Sequence, residues 1–594
     1  MATVRTSTAD DGGSVETEPS ETPVGAPLDA GESRRRGGGR RTAIALAGAV
    51  GLVGLVFLLY AAAIHANSGD SDGASVILEG QAIAHGHFLL HGWALSLDSF
   101  WTVDALFYAV AVLLDGLRPS LLYAIPALLA ALVIVAGVLM ARAGRRGAPA
   151  IAGAATVFAL LAFPTHAMAV FFLRGPLHIG TTLWALIAFA CLRKGRFGWG
   201  WVIAVVFLAA GALGDLQILV LGIAPIFLAG LVATLRTRTW RGGIAQVSAA
   251  AAGVALAEIV RTIAKALGTF SVGVANPTSL HLILPNLRHA ASLGAELAGV
   301  RSTLFGTGGV PTALQDVHIV GGVVMAASFV AALVMLVRDA LLGRQRDAGA
   351  ATPAAPARLP GASDASSAAP LLWRLDDMLV IGIIGVPIDY GALALAPRDI
   401  EYARYLAPAL IFAAILAGRM VARAVASLRA RSAARHAAVS RRAPAAAGRA
   451  AALLGLAVAL CFGAGLGYNL AQRDPGQPGA QLASWLEAHH LTEGVGSYWA
   501  ASIITVESRG KVLIRPVVVD ADSHIRRYTR ESDSAWYSGQ QFQFFVYNLA
   551  IPWGSDDSAT AAITWGRPQH SYAVGSFRVL VWPKPLVVGP GPPT

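Results

Sequence analysis

Residues 121–163 read LLYAIPALLAALVIVAGVLMARAGRRGAPAIAGAATVFALLAF. Two long apolar runs flank a short turn that carries Arg142, Arg145 and Arg146. An α-helix needs about 20 apolar residues to cross the hydrocarbon layer of a bilayer, and Lys and Arg collect in cytoplasmic loops. The stretch therefore predicts two transmembrane helices joined by a basic cytoplasmic turn.

The rest of the chain repeats this pattern. Of its 594 residues 55% are hydrophobic and 14% are charged, and the mean hydropathy is +0.58. Soluble proteins carry roughly 25% charged residues, so the composition excludes a soluble globular protein and a disulfide-rich secreted module. It predicts an α-helical polytopic membrane protein with about eleven spans, at 42–64, 119–141, 149–172, 176–193, 199–213, 216–235, 244–266, 316–337, 377–396, 404–422 and 451–470. Run 199–213 is short, so 199–235 is either a broken pair or one long tilted helix.

The distribution of basic residues predicts the orientation. With the N-terminus in the cytoplasm, the cytoplasmic loops hold 22 Lys and Arg, whereas the outer loops hold six. This asymmetry is typical of a multi-pass plasma-membrane protein with an extracytoplasmic C-terminal domain. It also accounts for the net charge of +11 without a nucleic-acid partner.

The composition divides the chain into four regions. Residues 1–41 form an acidic, disordered cytoplasmic tail with a basic anchor, and residues 42–470 form the transmembrane domain with a long external loop at 65–118. Residues 471–582 form a small α+β or β-rich domain, because 511–519 and 541–547 alternate as strands do and 481–490 has the pattern of a short helix. Residues 583–594 form a flexible tail.

The external loop 65–118 carries two carboxylates among aromatic residues, Asp98 and Asp104. A partly desolvated carboxylate becomes more basic, which suits a general base that deprotonates an acceptor hydroxyl. Alternatively, the aromatic residues form an interfacial belt, and Asp104 caps a short interfacial helix at 104–114. In that case Asp98 is the better candidate for the general base.

The same loop contains three histidines, His85, His87 and His91. Their spacing permits a metal site on one helical face, but Gly86 and Gly92 interrupt it, so solvated or hydrogen-bonded histidines are expected. The chain has two cysteines, both in apolar runs. We therefore predict no metal and no cofactor.

Three cations are candidates for binding a phosphate at the outer face. Arg261 and Lys265 lie on one helical face above Glu258, and Arg404 opens an apolar helix. A guanidinium binds phosphate with two hydrogen bonds. Alternatively, Glu258 pairs with Arg261 while Lys265 extends to the interface, and Arg404 or Arg398 pairs with Glu401.

Exposed aromatic rings can bind a glycan by stacking. The candidates for acceptor binding are Trp93 in the external loop, and Trp499, Trp536 and Trp553 in the C-terminal domain. Alternatively, Trp93 belongs to the interfacial belt and the others to the core of the C-terminal domain.

The segment FLLHGWALS at 88–96 resembles the first-loop signature of a group of actinobacterial polytopic membrane proteins that has no assigned reaction. More distantly, the layout is similar to that of the GT-C glycosyltransferases, with many spans, a long acidic first external loop and an external C-terminal domain. This resemblance implies that Asp98 or Asp104 is the base, that basic residues hold a polyprenyl-phosphate sugar donor, and that transfer inverts the anomeric centre. The loop lacks an adjacent pair of acidic residues, which argues against a site in which a metal ion bridges the carboxylates.

These features lead to three hypotheses. The first is a GT-C-like glycosyltransferase that moves a sugar from a polyprenyl-phosphate donor in the membrane to an envelope glycan or protein. The second is a transporter or lipid flippase, which a through-going polar cavity would favour. The third is a non-catalytic envelope scaffold that binds partners through its external domain.

Overall fold

We describe a computed structural model of the chain. It describes residues 30–273, 278–301, 311–342, 364–393, 400–436, 462–474, 476–549 and 557–590. The chain forms two compact units, Met1–Gly54 and Leu55–Thr594. The first unit holds the N-terminal part of helix α1, whose apolar side chains Leu46, Val50 and Val53 are exposed, as expected of a helix surface that faces lipid.

Helices dominate the region before residue 472. They are α1 (Ala30–Ala66), α2 (Ser71–Ala84), α3 (Asp104–Asp115), α4 (Leu121–Arg142), α5 (Ala148–Ala162), α6 (His166–Phe172), α7 (Ile179–Leu192), α8 (Trp199–Gly214), α9 (Ala224–Thr237) after a π-helical turn at Leu219–Ile223, α10 (Ile244–Ala266), α11 (Ile283–Leu297), α12 (Thr312–Leu342), α13 (Asp364–Ala392), α14 (Ala407–His436) and α15, whose described part covers 462–471. In the second unit α14 packs against α4, α5, α12 and α13, and α8 packs against α7 and α10. The protein is an α-helical membrane protein.

The predicted number of eleven spans is not confirmed. Among the described residues, six helices are long and apolar enough to cross a membrane: Ala45–Ala66, Leu121–Arg142, Leu219–Thr237, Ile244–Ala266, Thr312–Asp339 and Ile400–Arg431. A seventh span is possible if α5 and α6, bent by 85° at their junction, count together. Helices α7 and α8 are apolar but short, which leaves 199–235 as two helices with a break at Asp215.

The first loop, predicted at 65–118, folds into two helices joined by an extended segment. Helices α2 and α3 pack closely because Gly80 leaves room; a Cβ there would lie 2.7 Å from the Cβ of Tyr108. The predicted helix at 104–114 is confirmed, but Asp104 is its first residue and makes no capping bond. The cap prediction for Asp104 was therefore wrong, because its side chain turns into the protein interior.

The C-terminal region contains one mixed β-sheet with flanking helices, which agrees with the predicted α+β or β-rich domain. Its elements are α16 (Pro478–Ala488), β3 (Glu493–Ser497), α17 (Tyr498–Glu507), β4 (Leu513–Val519), β5 (Ile525–Arg527), β6 (Ser532–Asp533), β7 (Phe542–Asn548), α18 (Ser558–Trp565), β8 (His570–Val574) and β9 (Phe577–Leu586). Six strands form one sheet in the order β5-β4-β3-β7-β9-β8, with β3 parallel to both neighbours. Val495, Phe545 and Leu580 lie in its core.

Strand β6 belongs to a second, smaller sheet. Strand β1 (Trp93–Leu95) of the first loop pairs with β6 in antiparallel fashion and with β2 (Ser271–Val272) in parallel. Helix α17 also packs on α2, where Tyr498 Oη donates to Asp72 Oδ1 at 2.6 Å. The first loop and the C-terminal domain are thus joined by backbone and side-chain bonds.

Candidate functional site

A buried His–Asp pair lies where two inter-helix turns meet. Asp215 follows the last residue of α8, and His178 precedes the first residue of α7. The Nδ1 atom of His178 lies 2.8 Å from Oδ2 of Asp215, which also accepts a hydrogen bond from Thr181 Oγ1. The backbone N–H of Gln217 donates to Oδ1 of Asp215 at 2.9 Å. Asp215 is therefore held in one orientation by three donors.

The first external loop brings Asp98 to this pair. The loop is fastened to the end of α8, since Phe100 N donates to Gly214 O at 2.5 Å and Ser99 Oγ donates to the same oxygen at 3.3 Å. One oxygen each of Asp98 and Asp215 and a ring nitrogen of His178 lie within 4.8 Å of one another. Three segments distant in sequence thus form one cluster, which we name the acid cluster: Asp98, His178 and Asp215.

Asp104 lies beside the acid cluster but is sealed from solvent. It is 1% exposed, and its Oδ2 atom has no hydrogen-bond partner. Gly180 at the start of α7 makes room for it; a Cβ there would lie 2.7 Å from that oxygen. Asp98 differs from Asp104 in being only partly buried. Of the two loop carboxyls, that of Asp98 therefore belongs to the less deeply buried residue.

The pKa of Asp215 shifts in the opposite direction from those of Asp98 and Asp104. Burial, and next the negative charge of Asp215, raises the pKa of Asp98 to about 7. The same two causes raise the pKa of Asp104 to about 7. Burial by itself would raise the pKa of Asp215 too, but His178, Thr181 and the Gln217 N–H more than compensate and lower it. Adjacent carboxyls with separated pKa values are the usual arrangement for assigned acid and base roles.

Arg404 is the predicted cation whose charge reaches the acid cluster. Its positive charge lowers the pKa of Asp98, and its guanidinium carbon lies 5.2 Å from the ring centre of Tyr405. That ring in turn lies 4.7 Å from the His178 ring. Arg404 is partly buried, so its charge acts in a medium less polar than water.

Arg261 and Lys265 lie further away on α10. Arg261 forms the predicted ion pair with Glu258, and its Nη2 atom donates to Ala212 O at 2.6 Å, near the end of α8. Lys265 is exposed one turn further on. The structure brings Arg261 to the edge of the same helix that ends at Asp215, whereas Lys265 points to the surroundings.

The turn before α14 forms an ion pair with Arg174. Glu401 lies 2.8 Å from Arg174, and Arg174 also forms an ion pair with Asp70. Arg398 lies outside the described residues. Arg174 links the end of α6 to α2 and to the turn before α14, which fixes the rim of the site.

The aromatic candidates for acceptor binding are mostly packed. Trp93 is 4% exposed, and its ring centre lies 5.0 Å from that of Trp536. Trp536 is partly buried, with the guanidinium of Arg515 4.4 Å above it. Trp499 is partly buried beside Tyr498. Trp553 lies outside the described residues.

The acid cluster also has the composition of a metal site. Asp98, His178 and Asp215 offer two carboxylates and an imidazole within 4.8 Å, ligands that suit several divalent cations. The oxygens of Asp215 are already used by hydrogen bonds. The histidines first considered for this role are not grouped: His91 bonds to Gly268 O and His85 to Gln81 O, each at 2.7 Å.

Sequence reasoning missed His178 and underrated Asp215. In the sequence Asp215 is a lone charge in a turn between two apolar runs, and no spacing connects it with His178 or Asp98. A common signal exists: all three follow or precede apolar helices at the same end of the bundle. Charged residues at such positions meet when the helices pack.

No protein-family model and no curated protein sequence matches the chain. Solved structures with a similar course of the chain include ArnT from Cupriavidus metallidurans in the apo state, with 14% identity, a TM-score of 0.47 and coverage of 91% of this chain and 98% of that chain. ArnT from the same organism bound to undecaprenyl phosphate has 15% identity and a TM-score of 0.46, over 90% of this chain and 98% of that chain. The oligosaccharyltransferase of Archaeoglobus fulgidus has 13% identity and a TM-score of 0.44, over 87% and 71%.

Proposed function

We propose that the protein is a GT-C-like membrane glycosyltransferase. It takes a sugar from a polyprenyl-phosphate donor in the plasma membrane and passes it to an extracytoplasmic envelope glycan or protein. In this proposal the N-terminus is cytoplasmic, and the acid cluster and the C-terminal domain of residues 471–582 face outward. The main support is the position of Asp98, a partly exposed carboxyl with a pKa near 7 beside the cation Arg404.

The reaction needs a base for the acceptor hydroxyl. Asp98 accepts the hydroxyl proton as the oxygen attacks the anomeric carbon of the donor sugar, and the bond from that carbon to the phosphate oxygen breaks. Attack from the face opposite the phosphate inverts the anomeric centre. A base is most effective when its pKa lies near the working pH, and a pKa of about 7 for Asp98 meets this condition.

The leaving phosphate needs a positive charge. Arg404 is partly buried, and a guanidinium in a poorly hydrated site stabilises a developing phosphate charge strongly. On α10, Arg261, which bonds to Ala212 O near the end of α8, and Lys265 one turn further on would attract the donor head group from the lipid. Asp215 and His178 keep the neighbouring charges fixed while Asp98 changes its protonation state.

The acceptor would approach over the C-terminal domain. Trp536 and Trp499 are partly exposed and could stack on a sugar ring, whereas Trp93 supports Trp536 from below.

The test is transfer of a radiolabelled sugar from a synthetic prenyl-phosphate donor by the purified protein in lipid nanodiscs. We expect transfer by the wild type and its loss in Asp98→Asn and in Arg404→Gln. Exposed Arg118→Gln is the control for the second variant. Full transfer by Asp98→Asn would overturn the assignment of the base. Transbilayer movement of the donor without any sugar transfer would instead indicate a flippase.

A further inference from the structure

The segment 531–534 of the C-terminal domain lies along the first external loop. Strand pairing places Trp93 opposite Asp533 and Ala94 opposite Ser532. The N–H of Ser534 donates to Gly92 O at 2.9 Å. This backbone ladder already joins the first loop to the C-terminal domain. A side-chain hydrogen bond beside the ladder therefore has a role other than joining them.

Glu531 makes such a bond at the point where the ladder stops. Strand β1 ends at Leu95, and the N–H of the next residue, Ser96, donates to Oε1 of Glu531 at 2.7 Å. The hydroxyl of Ser96 then donates to the backbone oxygen of Asp98, also at 2.7 Å. A chain of two hydrogen bonds therefore connects Glu531 to the backbone that carries the Asp98 carboxyl.

Glu531 occupies an unfavourable setting. Its φ of +47° lies in the left-handed region, which costs a non-glycine residue free energy. It also faces Glu79 of α2, which is fully buried. A residue that merely filled space beside Glu79 could be apolar, which would avoid placing two acids next to each other. The Glu531 carboxylate instead supplies the acceptor for the Ser96 N–H.

We infer that Glu531 is a positioning residue that acts through Ser96 to hold Asp98 in its reactive orientation. This inference rests on the proposed function. A base misplaced by about 1 Å can lose on the order of 100-fold in rate. The C-terminal domain would then complete the catalytic site in addition to receiving the acceptor.

The experiment compares two substitutions at one position. Glu531→Gln keeps an oxygen that can accept from the Ser96 N–H, whereas Glu531→Leu removes it at similar volume. We expect kcat to fall at least 10-fold in Glu531→Leu with the KM for the donor unchanged, and to stay within about 3-fold of the wild type in Glu531→Gln, in line with the sensitivity of catalysis to position. The matched control is Glu487→Leu, since Glu487 pairs with Lys511 away from the first loop. Equal losses in both Glu531 variants, or a rise in the donor KM alone, would overturn the inference.

Ser96→Ala tests the relay. If Glu531 acts through Ser96, the double variant Ser96→Ala with Glu531→Leu should lose no more activity than the less active of the two single variants. Multiplying losses would show that the two residues act separately and would contradict the relay.

A second measurement, amide hydrogen exchange, does not depend on sugar transfer. Amide hydrogen exchange of the peptide that contains Ser96 should speed up in Glu531→Leu and not in Glu487→Leu. If the wild type transfers no sugar, the proposed function fails, but this exchange result still decides whether Glu531 holds the loop. Unchanged exchange at Ser96 in Glu531→Leu would overturn the positioning role.

Discussion

Asp98 and Asp215 are neighbouring carboxyls whose pKa values move in opposite directions. An oxygen of each lies within 4.8 Å of the other. Burial and the charge of Asp215 raise the pKa of Asp98 to about 7, while three hydrogen-bond donors keep that of Asp215 low. One group can thus exchange a proton near neutral pH while the other keeps its charge.

Asp98→Asn should remove catalysis without unfolding the protein. A general base contributes about 10²–10⁴-fold to a rate, so we expect kcat to fall by that factor. Asp104→Asn should retain most of the activity, because Asp104 is sealed from solvent. Sugar transfer by both variants measures the difference, with Asp115→Asn, an exposed carboxylate at the end of α3, as the control. A larger loss in Asp104→Asn than in Asp98→Asn would reverse the assignment.

The rate should increase with pH through about 7 in the wild type, because Asp98 works in its ionised form. The positive charge of Arg404 favours that form, so Arg404→Gln should shift the midpoint of the rise to higher pH in addition to lowering kcat. The pH dependence of kcat/KM measures the midpoint. A midpoint that stays the same in the variant would show that Arg404 does not act on the base.

Asp215→Asn should shift the same midpoint in the other direction. Its negative charge raises the pKa of Asp98, so its removal should let Asp98 ionise at lower pH. The variant also loses an ion pair with His178 and should therefore melt at a lower temperature. Thr181→Val, which removes one hydrogen bond but not the charge, is the matched control and should leave the midpoint near that of the wild type.

Arg174→Gln should destabilise the protein more than Arg118→Gln. Arg174 bonds to Asp70 and Glu401 with 19% of its side chain exposed, and breaking a largely buried ion pair costs about 3 kcal/mol. Arg118 pairs with Asp115 at the surface, where an ion pair is worth at most about 1 kcal/mol. Thermal unfolding in the same detergent compares the two. Equal melting temperatures would contradict a structural role of Arg174.

The sequence predicted the elements better than the site. The apolar runs and the alternating runs at 511–519 and 541–547 correspond to helices and to strands β4 and β7, because periodicity depends on local burial. Asp98 was selected because a carboxylate among aromatic residues is partly desolvated and therefore more basic. The pairing of Asp98 with His178 and Asp215 has no local pattern, since it depends on which helix ends meet.

Short elements were the other failure. Strand β1 has three residues and a Gly on its N-terminal side, so nothing in its own sequence marks it as a strand. It forms because β2 and β6 present backbone groups to it from far along the chain. The alternative that Asp104 caps the helix rested on its position before an apolar run, but the space left by Gly180 admits its side chain to the interior.

The small sheet can form only after most of the chain has been synthesised. Ser96 and Glu531 are 435 positions apart, and a chain grows at about 5–20 residues per second. The outer loop must therefore wait roughly 20–90 s after it is made before its strand partner β6 exists. Throughout that interval the nascent protein is inserted but incomplete, and a chain that stops before residue 531 never closes the sheet.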